Sequence, residues 1–377
     1  MKKTRVIVLC GGRSAEHEVS LLSARHVFAA LDRDRFDPVL VGIDKQGRWR
    51  LEPEATLLAA AGDPRLLKLV AAGQELVVPV HPAAAVTCTN GSSDRAPDHS
   101  APIMGADDVV FPVLHGTYGE DGTVQGMLEL ADVAYVGSGP LGSGIGMDKD
   151  VAKRLLVQAG ISVVPWRLLT AHALAKDAAH CLEVASELGF PLFVKPANAG
   201  SSVGVSKVER SSELFAALRQ ALELDTKVLV ETAVPARELE CAVLGNDEPL
   251  ASLPGEIVVR HRDGFYSYQA KYVDADAAEA KIPADLPAPL VARVRELAVR
   301  TFVTLELAGM ARVDFFLDRN TGALFVNEVN TIPGFTPVSM YPKLWEASGV
   351  PVRELVSRLV DLAVERRRAR RALKTQI

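Results

Sequence analysis

The sequence predicts an α/β protein of more than one domain, and three observations carry that prediction. Residues 5–10 (RVIVLC) form a short unbroken apolar run, followed by Gly11-Gly12 and an amphipathic helix to about Leu31. This is the order of a buried parallel strand, a tight turn and a crossover helix. Residues 108–114 (DVVFPVL) repeat the theme and end in the glycine-rich HGTYGEDG before a helix over 123–131. Far downstream, two β-rich runs at 312–318 and 323–330 flank Arg319-Asn320-Thr321-Gly322, a hairpin signal. At 377 residues and 48% apolar, the chain can fill two or three cores and is too apolar to be disordered.

Charge and cysteine usage narrow the function. A net charge of −5 with mixed signs gives no basic field for nucleic acid. The one basic run, ERRRARRALK at 365–374, reads as a solvated helix end whose dipole favours cations. Cys10, Cys88, Cys181 and Cys241 show no metal-ligand spacing and suit a reduced, cytoplasmic protein. The N-terminal apolar run is too short for a secretion signal, and no stretch approaches the roughly 18 apolar residues of a membrane span.

Taken in order, a second strand at 38–43 completes a nucleotide-binding type of βαβ unit, but G-x-G-x-x-G is absent, which disfavours a dehydrogenase. Glu16 at the helix start opposes phosphate; it suits either an ammonium ligand or a simple helix cap. Residues 44–107 carry one strand-like run at 75–80 and a polar loop at 90–107, expected as a mobile surface insertion. His115 stands at the carboxyl end of a strand, where open α/β sheets bind ligands. The first domain ends at YVGSG (135–139). A helix follows from Asp148-Lys149 to Gly160, then a strand at 165–170 and a helix to about Leu188.

The strand 191–196 ends in Lys195 and opens into ANAGSSVGVSKV, a small-residue loop able to bring N–H groups and hydroxyls to phosphate, though it is no Walker loop. A helix at 211–222 is expected to start in a capping box at Ser211 or Ser212. Strands at 227–231 and 237–244 place Glu231 and Glu238 on either side of a short linker; these are either base- and ribose-binding groups or solvent-facing edge residues. The irregular stretch 256–282 suggests a lid, and an amphipathic helix spans 290–307 before Gly309.

The hairpin is the most informative stretch. If it is symmetric about Thr321, Asp314 faces Glu328 and Arg312 faces Asn330, and period-two alternation puts all four on one face. Two carboxylates brought together need a cation, and oxygen ligands of this kind suit Mg²⁺ or Mn²⁺. Thr331-Ile332-Pro333-Gly334 follows as a turn with N–H groups beside them.

Together, GGRSAEHEVS, LHGTYGEDGTVQGMLEL, YVGSG, MDK, FVKPANAGSSVGVSKV, GFYSYQAKY, ARVDFF and VNEVNTIPGFTPVSMYP resemble, in order and spacing, the D-alanine–D-alanine ligase family of ATP-grasp enzymes. The longer 44–107 segment departs from shorter members. The resemblance implies an ATP-grasp fold in three parts: a parallel α/β domain over 1–137, a central ATP-grasp subdomain over 138–231, and a C-terminal one over 232–377. It further implies that Asp314, Glu328 and Asn330 hold two Mg²⁺ ions (Mn²⁺ as a substitute) against ATP. Lys149 and Lys195 then grip phosphates under the loop Ser201, Ser202, Val203 and Gly204, while Glu231, Val234 and Glu238 contact adenine and ribose. Glu16, hydrogen-bonded with Ser201 and Tyr272, anchors the first D-alanine, with His115 beside it. Lys271 reaches the transferred phosphate, Arg312 and the Gly334 N–H form the oxyanion donors, and Ser339 binds the second substrate's carboxylate. Tyr272 favours a dipeptide over a D-lactate ester. A homodimer is the implied assembly. Rival readings are another ATP-grasp carboxylate–amine ligase and a non-catalytic nucleotide-binding protein; an oxyanion arginine argues against the latter.

Overall fold

The computed structural model describes residues 2–54, 69, 74–77, 87–88, 104–105, 107–259 and 278–374. Three sheets take up successive stretches of the chain. The first is formed by β1 (Thr4–Gly11), β2 (Phe36–Ile43), β3 (Trp49–Glu52), β4 (Gln74–Val77), β5 (Thr87–Cys88), β6 (Val109–Pro112) and β7 (Ala134–Tyr135), with α1 (His17–Ala30) after β1 and α2 (Thr123–Leu130) before β7. Its order is β5-β4-β3-β2-β1-β6-β7. Only β2-β1-β6-β7 are parallel. The parallel α/β domain expected over 1–137 is present, and the segment after β2 extends its sheet with antiparallel strands. Val6, Ile7, Val8, Leu9 and Cys10 of β1 are fully buried, as a central strand covered on both faces requires.

The second unit carries α3 (Pro140–Met147), α4 (Lys149–Gln158), β8 (Trp166–Thr170), α5 (Ala171–Lys176), α6 (Ala178–Ser186), β9 (Leu192–Pro196), β10 (Ser206–Val208), α7 (Ser211–Ala221) and β11 (Lys227–Thr232). Its sheet runs β10-β9-β11-β8, all antiparallel. Asp148 caps α4 by accepting from the Val151 N–H at 3.1 Å. The single helix expected up to 188 is two, because Asp177 leaves helical geometry and caps α6 through the His180 N–H. The capping box expected at Ser211 or Ser212 does not form. Arg210 occupies the cap position of α7, and Glu213 reaches back to the Glu209 N–H at 3.0 Å instead.

The third unit contains β12 (Ala236–Gly245), β13 (Leu250–Ala251), β14 (Gly255–Val259), β15 (Ala278–Lys281), α8 (Ala288–Thr304), β16 (Gly309–Asp318), β17 (Leu324–Asn330), α9 (Met340–Ala347) and α10 (Val352–Arg371). Its strands run β15-β14-β12-β16-β17, with β13 on β12. The β16–β17 turn is set by Asp318, whose carboxylate accepts from the Asn320 and Thr321 N–H groups at 2.7 and 3.1 Å, and by Gly322 at φ +71°.

One apolar core joins the first and third units: Val6, Val8 and Phe111 of the first sheet pack with Phe335, Tyr341 and Leu359. The basic tail is exposed at Glu365 and from Arg368 onward, as expected of a solvated helix end, but Arg366 and Arg367 are drawn inward. Arg366 is half-buried, lies over the Tyr135 ring and donates to the Gly137 and Tyr135 carbonyls. Arg367 and Arg371 pair with Asp132, and Arg370 with Glu129. The arginines of α10 fasten it to the first unit. Among the described residues, no helix is long and apolar enough to cross a membrane.

Candidate active site

A cavity of about 340 Å³ lies between the second and third sheets. The hairpin supplies one wall. Arg312 pairs with Asn330 and Asp314 with Glu328, the pairs expected from symmetry about Thr321, although next to the turn Leu317 pairs with Leu324, one residue off that symmetry. A β-bulge then shifts the register, so that Phe315 pairs with Val326 and Asn327 is the extra residue. The bulge turns Asn327 onto the same wall as Glu328, where plain alternation would have sent it to the opposite face. Asn327 Oδ1 accepts from Lys195 Nζ at 3.3 Å.

Charge on this wall is closely balanced. Arg312 donates through Nε and Nη2 to the two oxygens of Asp314, both at 2.7 Å, and its Nε lies 3.0 Å from Glu240 Oε2. Burial works against the guanidinium charge, but Asp314 and Glu240 outweigh it and keep Arg312 firmly protonated. The Asn330 amide also donates to Asp314 at 3.1 Å. Lys149 Nζ lies 3.5 Å from Glu328 Oε2 and donates to the Ala199 carbonyl at 2.8 Å. Asp314 and Glu328 thus bring hard oxygen donors to one face with the Asn330 amide beside Asp314, residue types that fit Mg²⁺ or Mn²⁺.

On the opposite wall, the buried Glu231 carboxylate bridges Lys195 at 2.7 Å and Lys153 at 3.0 Å. Burial alone would raise its pKa, yet the two lysines overcome this and lower it, so Glu231 is ionised. Val234 and Glu238 also line the cavity, beside apolar Phe193, Leu239 and Ile257 that suit the face of a base. Ser202 and Val203 line it from the loop, where Ser201 and Ser202 hold φ of +51° and +58°. Positive φ at two successive serines is strained for residues with a Cβ, a feature common in ligand clamps. Gly204 is absent from the lining. It sits against Pro196 and Leu224, where a Cβ would be 2.5 Å from Leu224 Cδ1.

Beyond the loop lies a second cluster. Glu16 is the N-cap residue of α1 but makes no side-chain cap bond, so the capping reading is set aside. Its Oε1 instead accepts a short hydrogen bond from Ser201 Oγ. Its Oε2 is packed by two glycines: a Cβ at Gly116 or Gly200 would lie 2.6 or 2.8 Å from it. His115 and Glu120 grip the turn after the hairpin. Glu120 accepts from the Gly116 and Ile332 N–H groups at 2.8 and 3.1 Å. Burial and the nearby Glu16 raise its pKa to about 8 against those two bonds. His115 Nδ1 faces the Ile332 carbonyl at 3.0 Å and so carries the proton; Nε2, 3.0 Å from Ser23 Oγ, accepts. Burial lowers the His115 pKa, in keeping with a neutral ring. Ser339 Oγ accepts from the Thr336 N–H at 3.0 Å and abuts Gly334, where a Cβ would lie 2.8 Å away.

This constellation coincides with a match along the chain. Residues 5–138 fit the family model described as D-ala D-ala ligase N-terminus, and residues 155–361 the one described as D-ala D-ala ligase C-terminus. The chain belongs to the D-alanine–D-alanine ligase family. It is 52% identical to the D-alanine–D-alanine ligase A of Bradyrhizobium diazoefficiens, over 99% of this chain and 98% of that one. It is 48% identical to the D-alanine–D-alanine ligase of Shouchella clausii, over 100% and 99%. Among solved structures, the D-alanine–D-alanine ligase from Coxiella burnetii superposes with a TM-score of 0.81 at 35% identity, covering 99% of this chain and 97% of that one. The VanG D-Ala:D-Ser ligase from Enterococcus faecalis gives the same score and identity over 96% and 100%. The fold is accordingly that of this ATP-grasp family. The 44–107 segment does not set the chain apart from these two ligases of the family, whose alignments span essentially all of it.

Sequence reading missed five residues that this family member brings to the site. Glu240 faces Asp314 across β12 and β16 and was legible, two residues beyond Glu238 on the same strand face. Glu120 stood in the glycine-rich loop, an acid without an obvious task. Asn327 depends on a bulge, and Ser23 and Lys153 on tertiary packing, none of which local pattern reveals. Lys271 and Tyr272 lie outside the described residues, as do most of the expected lid and of the 90–107 loop.

Proposed function

We propose that the chain joins two D-alanines into D-alanyl-D-alanine for peptidoglycan, with ATP converted to ADP and phosphate through a D-alanyl phosphate. The observation that carries this reading is the Glu16–Ser201 bond, which sets an anionic ammonium anchor beside the loop that also lines the nucleotide cavity. A carboxylate is a poor electrophile, because an amine near it simply takes up a proton. Phosphorylation makes it reactive. The first D-alanine docks its ammonium on Glu16, and its carboxylate oxygen attacks the γ-phosphorus of ATP while the bond to ADP breaks. Lys149 and Lys195 counter the charge of the moving phosphoryl, a transfer governed by positioning and charge. The second D-alanine, its carboxylate toward Ser339, loses an ammonium proton and attacks the acyl carbon. Arg312 and the Gly334 N–H receive the oxyanion, a contribution of roughly 3–4 kcal/mol per donor. The carbon–phosphate bond then breaks and the peptide remains.

Asp314, Glu328 and Asn330 would hold the two Mg²⁺ ions, with Mn²⁺ as a substitute. Bound, the ions neutralise the polyphosphate. The amide of Asn330 must turn its oxygen inward to join the set. The units 1–137, 138–231 and 232–377 are the working domains, a reading supported by one sheet in each. His115 lines the first subsite through its hold on Ile332, and Glu231, Val234 and Glu238 serve the base and ribose. By the family resemblance Lys271 serves the transferred phosphate, and Tyr272 steers the acceptor toward D-alanine rather than D-lactate. A cytoplasmic homodimer completes the proposal.

The acyl phosphate has a direct test. With D-alanine labelled by ¹⁸O in its carboxylate, the released phosphate should carry one ¹⁸O per dipeptide. Unlabelled phosphate beside labelled dipeptide would exclude the intermediate.

A further inference from the structure

We infer that Lys153 is a positioning residue for the nucleotide: it holds Glu231 as a second cation, so that Lys195 can leave Glu231 for an incoming polyphosphate without stranding a buried carboxylate. The inference rests on the nucleotide reading of the cavity given above.

The two lysines on Glu231 are not equivalent. Lys153 is 1% exposed and does not line the cavity. Its ammonium lies against Glu231 Oε1 at 3.0 Å, the Val164 carbonyl at 3.4 Å and the Trp166 ring, whose centroid is 5.7 Å away. Trp166 is itself held by its Nε1 donating to Asp150 at 3.1 Å. Lys195, by contrast, stands on the cavity wall, 2.7 Å from Glu231 Oε2 and 3.3 Å from Asn327 Oδ1. One cation is locked beneath the carboxylate; the other faces the space a polyphosphate would fill.

The backbone enforces this division. Lys149 and Lys153 are four residues apart on α4 and share a helix face. Lys149 reaches the hairpin acid Glu328, while Lys153 turns under Glu231 on β11. Lys195 reaches the same carboxylate diagonally, since Leu229 is its partner in the β9–β11 ladder. A single lysine on Glu231 would be pinned there, because withdrawing it leaves a buried charge uncompensated. A second, immobile cation removes that obstacle and keeps Glu231 ionised and in place throughout.

The test compares the full chain with Lys153→Met, Glu231→Gln and the double variant. Equilibrium binding of ATP with Mg²⁺ and the KM values for ATP and D-alanine are measured together with thermal melting. For Lys153→Met we expect ATP binding and its KM to weaken about tenfold or more, with KM for D-alanine within about twofold. The double variant, which strands no charge, should bind ATP within about threefold of Glu231→Gln alone, and this holds the inference to account even if Lys153→Met folds poorly. Unchanged ATP affinity in a melting-shifted Lys153→Met would overturn it. So would a Lys153→Met loss of equal size in the Glu231→Gln background. A wild-type chain that binds ATP but releases no phosphate with D-alanine would sink the ligase reading, whereas the binding comparison would still judge Lys153.

Discussion

Glu16 concentrates the chemistry of the first subsite in one carboxylate. Ser201 orients it, and Gly116 and Gly200 let backbone approach it where any Cβ would collide. Glu16→Gln keeps the shape and removes the charge. It should lower kcat/KM for D-alanine by about 10- to 100-fold, the ~1.5–3 kcal/mol of a charged hydrogen bond, while ATP binding stays put. Steady-state kinetics against each substrate checks this, and an equal loss for both would contradict it. Glu120 makes a prediction about pH. Its folded pKa of about 8 exceeds the ordinary 4.5, so between those values the folded chain holds a proton that the unfolded chain has released. Its contribution to stability therefore declines as pH rises through that window and levels off above it. Glu120→Gln should flatten the fall. Chemical unfolding at pH 5, 6, 7 and 8 reads the slope, and identical slopes in both proteins would refute the assignment.

At the scale of elements, the β16–β17 hairpin shows how far pattern reading reaches. The pairing of Arg312 with Asn330 and Asp314 with Glu328 agrees with symmetry about Thr321, but the bulge produces it: next to the turn Leu317 pairs with Leu324, a register that without the extra residue would set Asp314 against Asn327. The bulge itself went unread, although Asn327-Glu328, two polar residues in succession, break the alternation there, and Asn327 was missed with it. Asn327→Ala should raise KM for ATP about 3- to 10-fold by loosening Lys195, roughly 1 kcal/mol for a long hydrogen bond of 3.3 Å. No change in KM would mean that the bond to Lys195 does not matter. The basic end of α10 was read only in part: it is exposed, as a charge run usually is, and only the tertiary fold brings Asp132, Glu129 and two backbone carbonyls against its arginines. Arg366→Met would leave those carbonyls buried and unmet. A loss of about 2–4 kcal/mol in urea unfolding is expected.

For the whole molecule, the order of strands and helices was readable almost throughout, since buried strands and amphipathic helices obey local periodicity. How three sheets meet was not, because that depends on packing between distant segments. Ile332 illustrates the gap: its carbonyl and N–H are held by His115 and Glu120, from a loop more than 200 residues earlier. The same convergence brings Glu16, the phosphate lysines and the hairpin acids around one reaction path. The measurement that tests this most directly is phosphate release from ATP and Mg²⁺ with D-alanine, with L-alanine and with no amino acid. The account predicts release that depends on D-alanine, with one dipeptide formed per phosphate. Release indifferent to the amino acid, or equal with L-alanine, would contradict it.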